Sequence, residues 1–393
     1  MGTRFIAWGF TNEEYPVDRK RSNLAIVLVP VFAGLALSMA TAQTKSESGK
    51  FFLGADISAL DAPTRIPLPA YKEEGIPSDE LSILAHHGWN AFRVRVFVSP
   101  IRNAPNNSLE NAIPLAKRIK ASGATLILDL YFSDTWADPH HQDIPATWRL
   151  MDIDTLSKQW ESYAHDTIKS FKDAGAMPDI VQIGNEITRG TAWPLAQLQV
   201  PGSNQYNPPQ PYDEVAQWNN LTLLLNAGIK GVKDGAGRTP PRIAIHIDQG
   251  GNWDTTQWFF DHLEAAHVRY DIIVESFSPP SGHETLDGLL NNMNRCAQRY
   301  RKDFLITETG FLPGSVSDSD ARWHDTPEGR LQLLVDLVNT VEESPRGLGV
   351  LYWSPERDLW NADGSAGPGV YALDKLSTLA KRPDSHSSTA SKP

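Results

Sequence analysis

The amino-acid sequence predicts an α/β fold, a single (β/α)8 TIM barrel. Short runs rich in β-branched residues alternate with longer helical patterns, as in the βαβ units of a parallel sheet. Eight such units follow one another without a long break, and polar residues stand at the C-terminal ends of the strand-like runs. The alternation alone also allows an open, doubly wound sheet, but the number of units favours closure into a barrel.

Each of the eight strands is predicted from a short apolar run that ends in polar or turn residues. We predict that the first four begin at Phe52 (FLGADIS), Ala91 (AFRVRVFV), Thr125 (TLILDLYF) and Asp179 (DIVQIGNE). We predict that the last four begin at Arg242 (RIAIHID), Tyr270 (YDIIVESF), Asp303 (DFLITETG) and Gly349 (GVLYWSP). Helical patterns fill the gaps, for example LENAIPLAKRIKASG, which stops at a glycine typical of helix C-termini.

The N-terminal region predicts a secretory signal peptide over residues 1–42. A basic stretch, Arg19 to Arg21, precedes the apolar run Leu24 to Leu37, and small residues follow up to Ala42. The run is shorter than the roughly 20 residues of a membrane span. An uncleaved anchor is the alternative.

Beyond the signal peptide we expect the catalytic barrel over residues 43–382 and a polar, disordered tail over 383–393. We expect a secreted monomer, periplasmic or extracellular, with no membrane contact after signal cleavage. The single cysteine, Cys296, excludes an internal disulfide.

Charge and composition narrow the class of ligand. The formal net charge is −11 at pH 7, which argues against nucleic acid, because proteins that bind it usually carry a basic face. Twelve tryptophans modestly favour a carbohydrate, since indole faces stack on sugar rings. We therefore expect an uncharged ligand.

Two glutamates give the strongest indication of chemistry. Glu186 closes the strand run IVQIGNE, and Glu308 closes the run FLITE. Strand ends meet across a barrel mouth, and a retaining glycosidase needs two carboxyl groups about 5–5.5 Å apart. One must be protonated and the other ionised, which mutual repulsion and different surroundings can arrange. The alternative is that each is an ordinary carboxylate at a strand end.

Arg93 and Arg95 alternate with apolar residues, so we predict that they share one face of their strand. Two cations in a barrel lumen are expensive to bury unless they are paired. We predict that Glu308 pairs with at least one of them, which would keep Glu308 ionised as a nucleophile must be. A purely structural ion pair is the alternative.

Further polar and aromatic residues are candidates for sugar binding. Asn185 suits a hydrogen bond to a sugar 2-hydroxyl, and Trp136 offers a stacking face. We also expect the loop 194–211 to form the wall of a subsite beside Glu186. The complete predicted substrate-binding set is Asp56, Arg93, Arg95, Asp134, Trp136, Asn185, His246, Asp248 and Trp353.

No cofactor or catalytic metal is expected. The pair His140–His141 invites a metal site, but adjacent side chains point in different directions. The DLWNADGS stretch from Asp358 has oxygen ligands but lacks the spacing of an EF-hand, so a solvated turn is favoured. A structural calcium is left open and unassigned.

In these residues and the motifs around them, the sequence resembles glycoside hydrolase family 53, the arabinogalactan endo-β-1,4-galactanases. The resemblance runs from about Leu53 to Pro355 and includes FRVRVFVSP, SDTWADPHHQ, PDIVQIGNEITRGTAWP, RIAIHIDQGGNWDTTQWFFD and LITETGF. It implies endo-hydrolysis of plant cell-wall galactan or arabinogalactan with retention. It also implies that Glu186 is the acid/base and Glu308 the nucleophile.

The sequence departs from the family pattern at several strand ends. Tyr131-Phe132 stands where the family favours a His-Tyr pair, and Ser354 stands where it favours glutamate. In VESFSPP, Phe277 and Ser278 replace aromatic hydroxyls, and Glu275 is an extra carboxylate. These departures leave two alternatives open: a related retaining hydrolase of mannan or glucan, and a sugar-binding barrel without catalysis.

Overall fold

The eight predicted strands form and close into one parallel barrel, so the predicted (β/α)8 fold is confirmed. Neighbours in the barrel follow chain order, and the last strand pairs with the first. The strands are β1 (Phe52–Asp56), β2 (Ala91–Val96), β3 (Thr125–Leu130), β4 (Ile180–Ile183), β5 (Arg242–Ile247), β6 (Ile272–Ser276), β7 (Asp303–Glu308) and β8 (Gly347–Tyr352).

The computed structural model describes residues 50–60, 70–100, 107–203, 205, 208–278, 285–311 and 323–380. The predicted signal peptide and the predicted tail over 383–393 lie outside the described residues. Among the helices in the described ranges, none is long and apolar enough to cross a membrane.

Helices occupy the connections between the strands. They are α1 (Glu80–His86), α2 (Leu109–Ala121), α3 (Ile153–Asp173), α4 (Glu214–Ala236), α5 (Trp253–Ala265), α6 (Leu286–Arg299), α7 (Pro327–Glu343), α8 (Pro355–Asp358) and α9 (Ala372–Ala380). Helices α1 to α7 each begin after a Ser, Thr, Asp or Asn whose side chain accepts a hydrogen bond from a backbone N–H in the first turn. Such caps satisfy donors that a helix start leaves without partners.

The core has two layers because side chains alternate across each strand. Inward-facing apolar residues of the strands, such as Ile127, Ile272 and Leu305, fill the barrel interior. Outward-facing residues, such as Leu128 and Ile273, pack against the surrounding helices. The interior is therefore packed with side chains, and the polar residues lie above it.

Helices α3 and α4 approach each other through glycines. A Cβ atom placed on Gly231 would lie 2.2 Å from the carbonyl oxygen of Glu161. A Cβ atom on Gly235 would lie 2.5 Å from the carbonyl oxygen of His165. The two helix backbones are thus in direct contact, at a separation that only glycine allows.

Candidate active site

A cleft of about 1080 Å³ lies at the C-terminal end of the barrel. Barrel enzymes build their sites at this end, because loops of variable sequence follow each strand there. The predicted site residues that line the cleft are Trp136, Asn185, Glu186, Asp248, Glu308 and Trp353.

Glu186 and Glu308 line the same cleft although their strands are separated by β5 and β6. Glu186 follows β4 with a left-handed backbone, φ 47° and ψ 50°, and Glu308 is the last residue of β7. Ser276 of β6 lies opposite Glu308 in register. The Ser276 hydroxyl donates a hydrogen bond of 2.6 Å to Glu186 Oε1. Ser276 at the end of β6 is therefore hydrogen-bonded to Glu186 and paired in register with Glu308.

Glu186 has the electrostatic character of a proton donor. Burial raises the pKa of its carboxyl group well above the usual range, and the Glu308 and Asp248 carboxylates raise it further. The hydrogen bond from Ser276 opposes this increase in part. Glu186 therefore carries a proton at a pH where an exposed glutamate would be ionised.

Glu308 is held by a guanidinium group. Arg93 Nη2 donates a hydrogen bond of 2.5 Å to Glu308 Oε1, as the alternation of the β2 sequence predicts. Arg93 also donates from Nε to Asp56 Oδ2 at 2.7 Å. A charge-assisted hydrogen bond of this kind stabilises a carboxylate and restricts its orientation.

Acidic and basic side chains are paired beneath the cleft. Burial tends to raise the pKa of Asp56, but Arg95, Arg93 and Ser58 outweigh it, so the pKa lies below its usual value. Burial raises the pKa of Asp129 well above its usual value, and Arg93 offsets only part of this. The carboxyl groups of Asp56, Asp129 and Glu308 thus surround Arg93, each within 3.6 Å of its guanidinium nitrogens.

His246 contacts both Ser276 and Asn185. Its Nε2 lies 3.0 Å from Ser276 Oγ, and its Nδ1 lies 2.9 Å from Asn185 Oδ1. Burial lowers the pKa of His246 well below its usual value, and the nearby Arg93 lowers it further. The ring is therefore neutral and offers one donor and one acceptor nitrogen.

Five of the predicted sugar-binding residues do not line the cleft and support it from outside its wall. Asp56, Arg93, Arg95 and His246 are at most 3% exposed and lie below the cleft. Asp134 accepts hydrogen bonds from Ser99 N at 2.9 Å and Ala146 N at 2.8 Å. Asp134 thus fastens two loops, because both of its carboxylate oxygens are engaged by backbone amides.

The aromatic candidates lie where a sugar could stack. Trp136 is 41% exposed at the cleft, and its ring rests on the Arg95 guanidinium, 4.6 Å from the ring centroid. Trp353 also lines the cleft. In contrast, none of the described residues of the loop 194–211 lines the cleft, and its role as a subsite wall stays a prediction. Ala196 to Leu198 are buried instead.

Most of the departures in VESFSPP face away from the site. Glu275 is fully buried and accepts hydrogen bonds from Thr256 Oγ1 on α5 and Asn292 Nδ2 on α6, both at 2.8 Å. Phe277 packs in the layer between strands and helices. Ser278 alone of these three lines the cleft. The extra carboxylate therefore fastens helices to the barrel.

Ser276 is a site residue that the sequence reasoning missed. Ile272 and Val274 face the barrel interior, so alternation along β6 places Ser276 inward as well. The register between β6 and β7 shifts between Glu275 and Ser276. The alternation of inward and outward side chains along β6 was the sequence signal that could have shown that Ser276 points inward.

Among the described residues, the histidine pair considered from the sequence belongs to no group of three His, Cys, Asp or Glu side chains that could hold a metal. His141 Nδ1 lies 2.9 Å from Asp138 Oδ1, and no third ligand completes a cluster with this pair. In the turn after Asp358, Asp363 accepts a hydrogen bond from Ser365 and pairs with Lys72 at 3.0 Å. The turn is held by these contacts.

Comparisons with known proteins agree on one family. The sequence profile of glycosyl hydrolase family 53 matches residues 52–381. An arabinogalactan endo-β-1,4-galactanase of Humicola insolens is 35% identical over 70% of this chain and 80% of its own length. A probable arabinogalactan endo-β-1,4-galactanase A of Neosartorya fischeri is 32% identical over 84% of this chain and 89% of its own length.

A solved structure supports the same family. A fungal β-1,4-galactanase superimposes with a TM-score of 0.70 at 29% identity, covering 82% of this chain and 99% of its own. The similarity therefore extends over the whole barrel and includes the strand ends that surround the cleft.

Proposed function

The chain belongs to glycosyl hydrolase family 53, and on this premise we propose that it is a retaining endo-β-1,4-galactanase that acts on galactan or arabinogalactan. One observation carries the proposal. Glu186 and Glu308 line one cleft, and their surroundings differ as acid and nucleophile require. The curated relatives named as arabinogalactan endo-β-1,4-galactanases support the choice of polymer.

In the first step, Glu308 attacks the anomeric carbon and the glycosidic bond breaks. Arg93 orients the Glu308 carboxylate through the 2.5 Å hydrogen bond. Glu186, kept protonated by burial and by neighbouring carboxylates, gives its proton to the departing sugar oxygen. The product of this step is a galactosyl ester of Glu308.

In the second step, Glu186 is a carboxylate and acts as the base. It takes a proton from water, which attacks the anomeric carbon and releases Glu308. The Ser276 hydroxyl donates to the ionised Glu186 and stabilises it for this role. The configuration at the anomeric carbon is restored by the second inversion.

The proposal also covers the location and the oligomeric state of the enzyme. We propose secretion of a monomer after removal of residues 1–42, with no cofactor required for the two steps above. A structural calcium stays unassigned.

Ser278 favours a second candidate substrate. It is a small residue in the cleft wall, at a position where the resemblance leads one to expect an aromatic hydroxyl. A wider wall at this point would suit another β-linked glycan, mannan or glucan. The presence of both glutamates weighs against a barrel that only binds sugar.

The test is release of reducing sugar from galactan, arabinogalactan, mannan and β-glucan, with product lengths followed over time. We expect galactan and arabinogalactan to be cleaved internally, and NMR to show the β-anomer first. Glu186→Ala and Glu308→Ala should each lower release at least a thousandfold, since each removes a reacting group.

Glu275→Gln is the matched control, because it changes a buried glutamate that faces the helices. It should keep near wild-type activity. Preferential cleavage of mannan or glucan would replace the substrate, and full activity of either alanine variant would refute the catalytic roles.

A further inference from the structure

A cluster of possible metal ligands lies outside the cleft. Glu73, His86 and His87 place one ligand atom each within 4.8 Å of one another, and none of the three lines the cleft. Glu73 belongs to a short hairpin in which Lys72–Glu73 pairs with Ile76–Pro77. His86 is the last residue of α1, and His87 caps that helix.

The two adjacent histidines converge because they use different ring nitrogens. His86 Nδ1 lies 3.3 Å from Glu73 Oε2, and His87 Nε2 contacts Glu73 Oε1. Nδ1 is close to the backbone and Nε2 is at the far side of the ring, which compensates for the different directions of neighbouring side chains. The Glu73 carboxylate is therefore the point on which both rings converge.

A second carboxylate contacts the other ring nitrogen of His87. Asp374 Oδ2 of α9 lies 3.0 Å from His87 Nδ1. The Tyr371 ring packs edge-on against the same imidazole at 4.5 Å between centroids. When a metal replaces the proton between His87 Nε2 and Glu73, the hydrogen bond from Nδ1 to Asp374 keeps the ring oriented with its Nε2 lone pair toward the metal, the usual arrangement behind a metal-binding histidine.

We propose that Glu73, His86 and His87 bind a divalent transition metal of the zinc class, with Asp374 orienting His87. Two imidazoles and one carboxylate form a ligand set that zinc accepts, whereas calcium and magnesium prefer oxygen ligands alone. The His86 side chain is 72% exposed, so water can complete the coordination from the solvent side.

A metal here would join segments that are far apart in the chain. Glu73 lies in the hairpin after β1, the histidines end α1, and Asp374 lies in α9 near the end of the described residues. A ligand that binds only the folded state stabilises it in proportion to its affinity and concentration. The expected role is therefore structural, with little effect on glycan cleavage.

The test uses the full chain without a polyhistidine tag, treated with a chelator and then dialysed. Isothermal titration with ZnCl₂ should give saturable binding of one ion per chain. Saturating zinc should raise the melting temperature by about 2–5 °C. Calcium and magnesium at the same concentration should give neither effect.

His86→Ala removes an exposed ligand without disturbing the core, and it should weaken zinc binding at least tenfold. Asp374→Asn should weaken it roughly tenfold, the usual loss when an outer carboxylate is removed. His165→Ala is the matched control, since His165 lies 2.8 Å from Asp166 in an exposed pair that gathers no third ligand among the described residues.

Absence of saturable zinc binding to the wild-type chain would overturn the proposal and leave a His–carboxylate ion-pair cluster. Unchanged binding in His86→Ala would overturn it as well. Because zinc binding is measured directly, these results do not depend on whether galactan is the substrate.

Discussion

At the scale of single residues, Ser276 connects the acid/base to its surroundings. Its hydroxyl proton has two acceptors within reach, Glu186 Oε1 at 2.6 Å and His246 Nε2 at 3.0 Å. When Glu186 is ionised, the hydroxyl donates to it. When Glu186 carries a proton, Glu186 can donate to Ser276 Oγ, and the hydroxyl turns to His246. The same contact thus serves both protonation states.

Ser276→Ala should shift the pH dependence of glycan cleavage. The hydrogen bond lowers the pKa of Glu186, so its loss raises that pKa further. The alkaline limb of kcat/KM, where the acid loses its proton, should move to higher pH. The rate kcat should fall roughly tenfold or more, since the lost bond stabilises a charged group.

The measurement is a pH profile of kcat/KM on galactan, with kcat and KM resolved. Ser276→Thr keeps a hydroxyl and should restore most of the rate and the position of the limb. An alkaline limb that stays in place in Ser276→Ala would show that Ser276 does not act through Glu186.

At the scale of elements, the contact between α3 and α4 depends on backbone approach. Normally alanine stabilises a helix relative to glycine by about 1 kcal/mol. At Gly231 the opposite is expected, because the new methyl group would meet the Glu161 carbonyl at 2.2 Å. Gly231→Ala should therefore lower the free energy of unfolding by about 1–3 kcal/mol.

Urea denaturation measures this change. Lys233→Ala alters an exposed residue of the same helix and serves as the control, with little expected effect. A Gly231→Ala variant as stable as the wild type would mean that the two helices can separate without loss.

The sequence predicts the elements well and the direction of individual side chains less well. All eight strands form, and β8 begins only two residues before its predicted start. Strand periodicity also placed Arg93 and Arg95 on one face, where Arg93 meets Glu308. Periodicity is a local property, so a single sequence reveals it.

Residues beyond the strand ends are harder to place because loops and register shifts decide their direction. Asp134 lies in a loop and is engaged by two backbone amides from elsewhere. Glu275 and Ser276 adjoin a register shift between β6 and β7, and only Ser276 reaches the cleft. Such contacts arise from tertiary structure, which a local pattern does not contain.

At the scale of the whole molecule, buried carboxyl groups couple stability to pH. Burial raises the pKa of Glu80 to about 8, and the nearby Glu356 adds to the increase. Burial also raises the pKa of Glu356 to about 7. The Trp360 indole donates to Glu80 Oε1 at 2.7 Å and opposes the increase only in part. The folded chain therefore binds protons that the unfolded chain releases.

Stability should consequently fall as pH rises. The contribution of Glu80 is fully present below its ordinary pKa of 4.5 and is lost as pH rises through about 8. Glu80→Gln removes this ionisation and keeps an oxygen for Trp360. At pH 8 the variant should be more stable than the wild type by at least about 1 kcal/mol.

Urea midpoints at pH 5, 6, 7 and 8 test this directly. Glu214→Gln, an exposed glutamate at the start of α4, is the control and should follow the wild-type curve. If Glu80→Gln also runs parallel to the wild type over this range, Glu80 is not the group that destabilises the fold at high pH.

The packed apolar layer inside the barrel has a consequence for how a polymer is handled. Among the described residues, side chains from all eight strands fill the lumen, so reactants approach from the mouth and not through the ring. The internal cleavage proposed above then requires a long glycan to lie across the opening, with both of its ends projecting into solvent. A bond in the middle of the polymer is as accessible in that posture as one near its end, and fragments can depart in two directions.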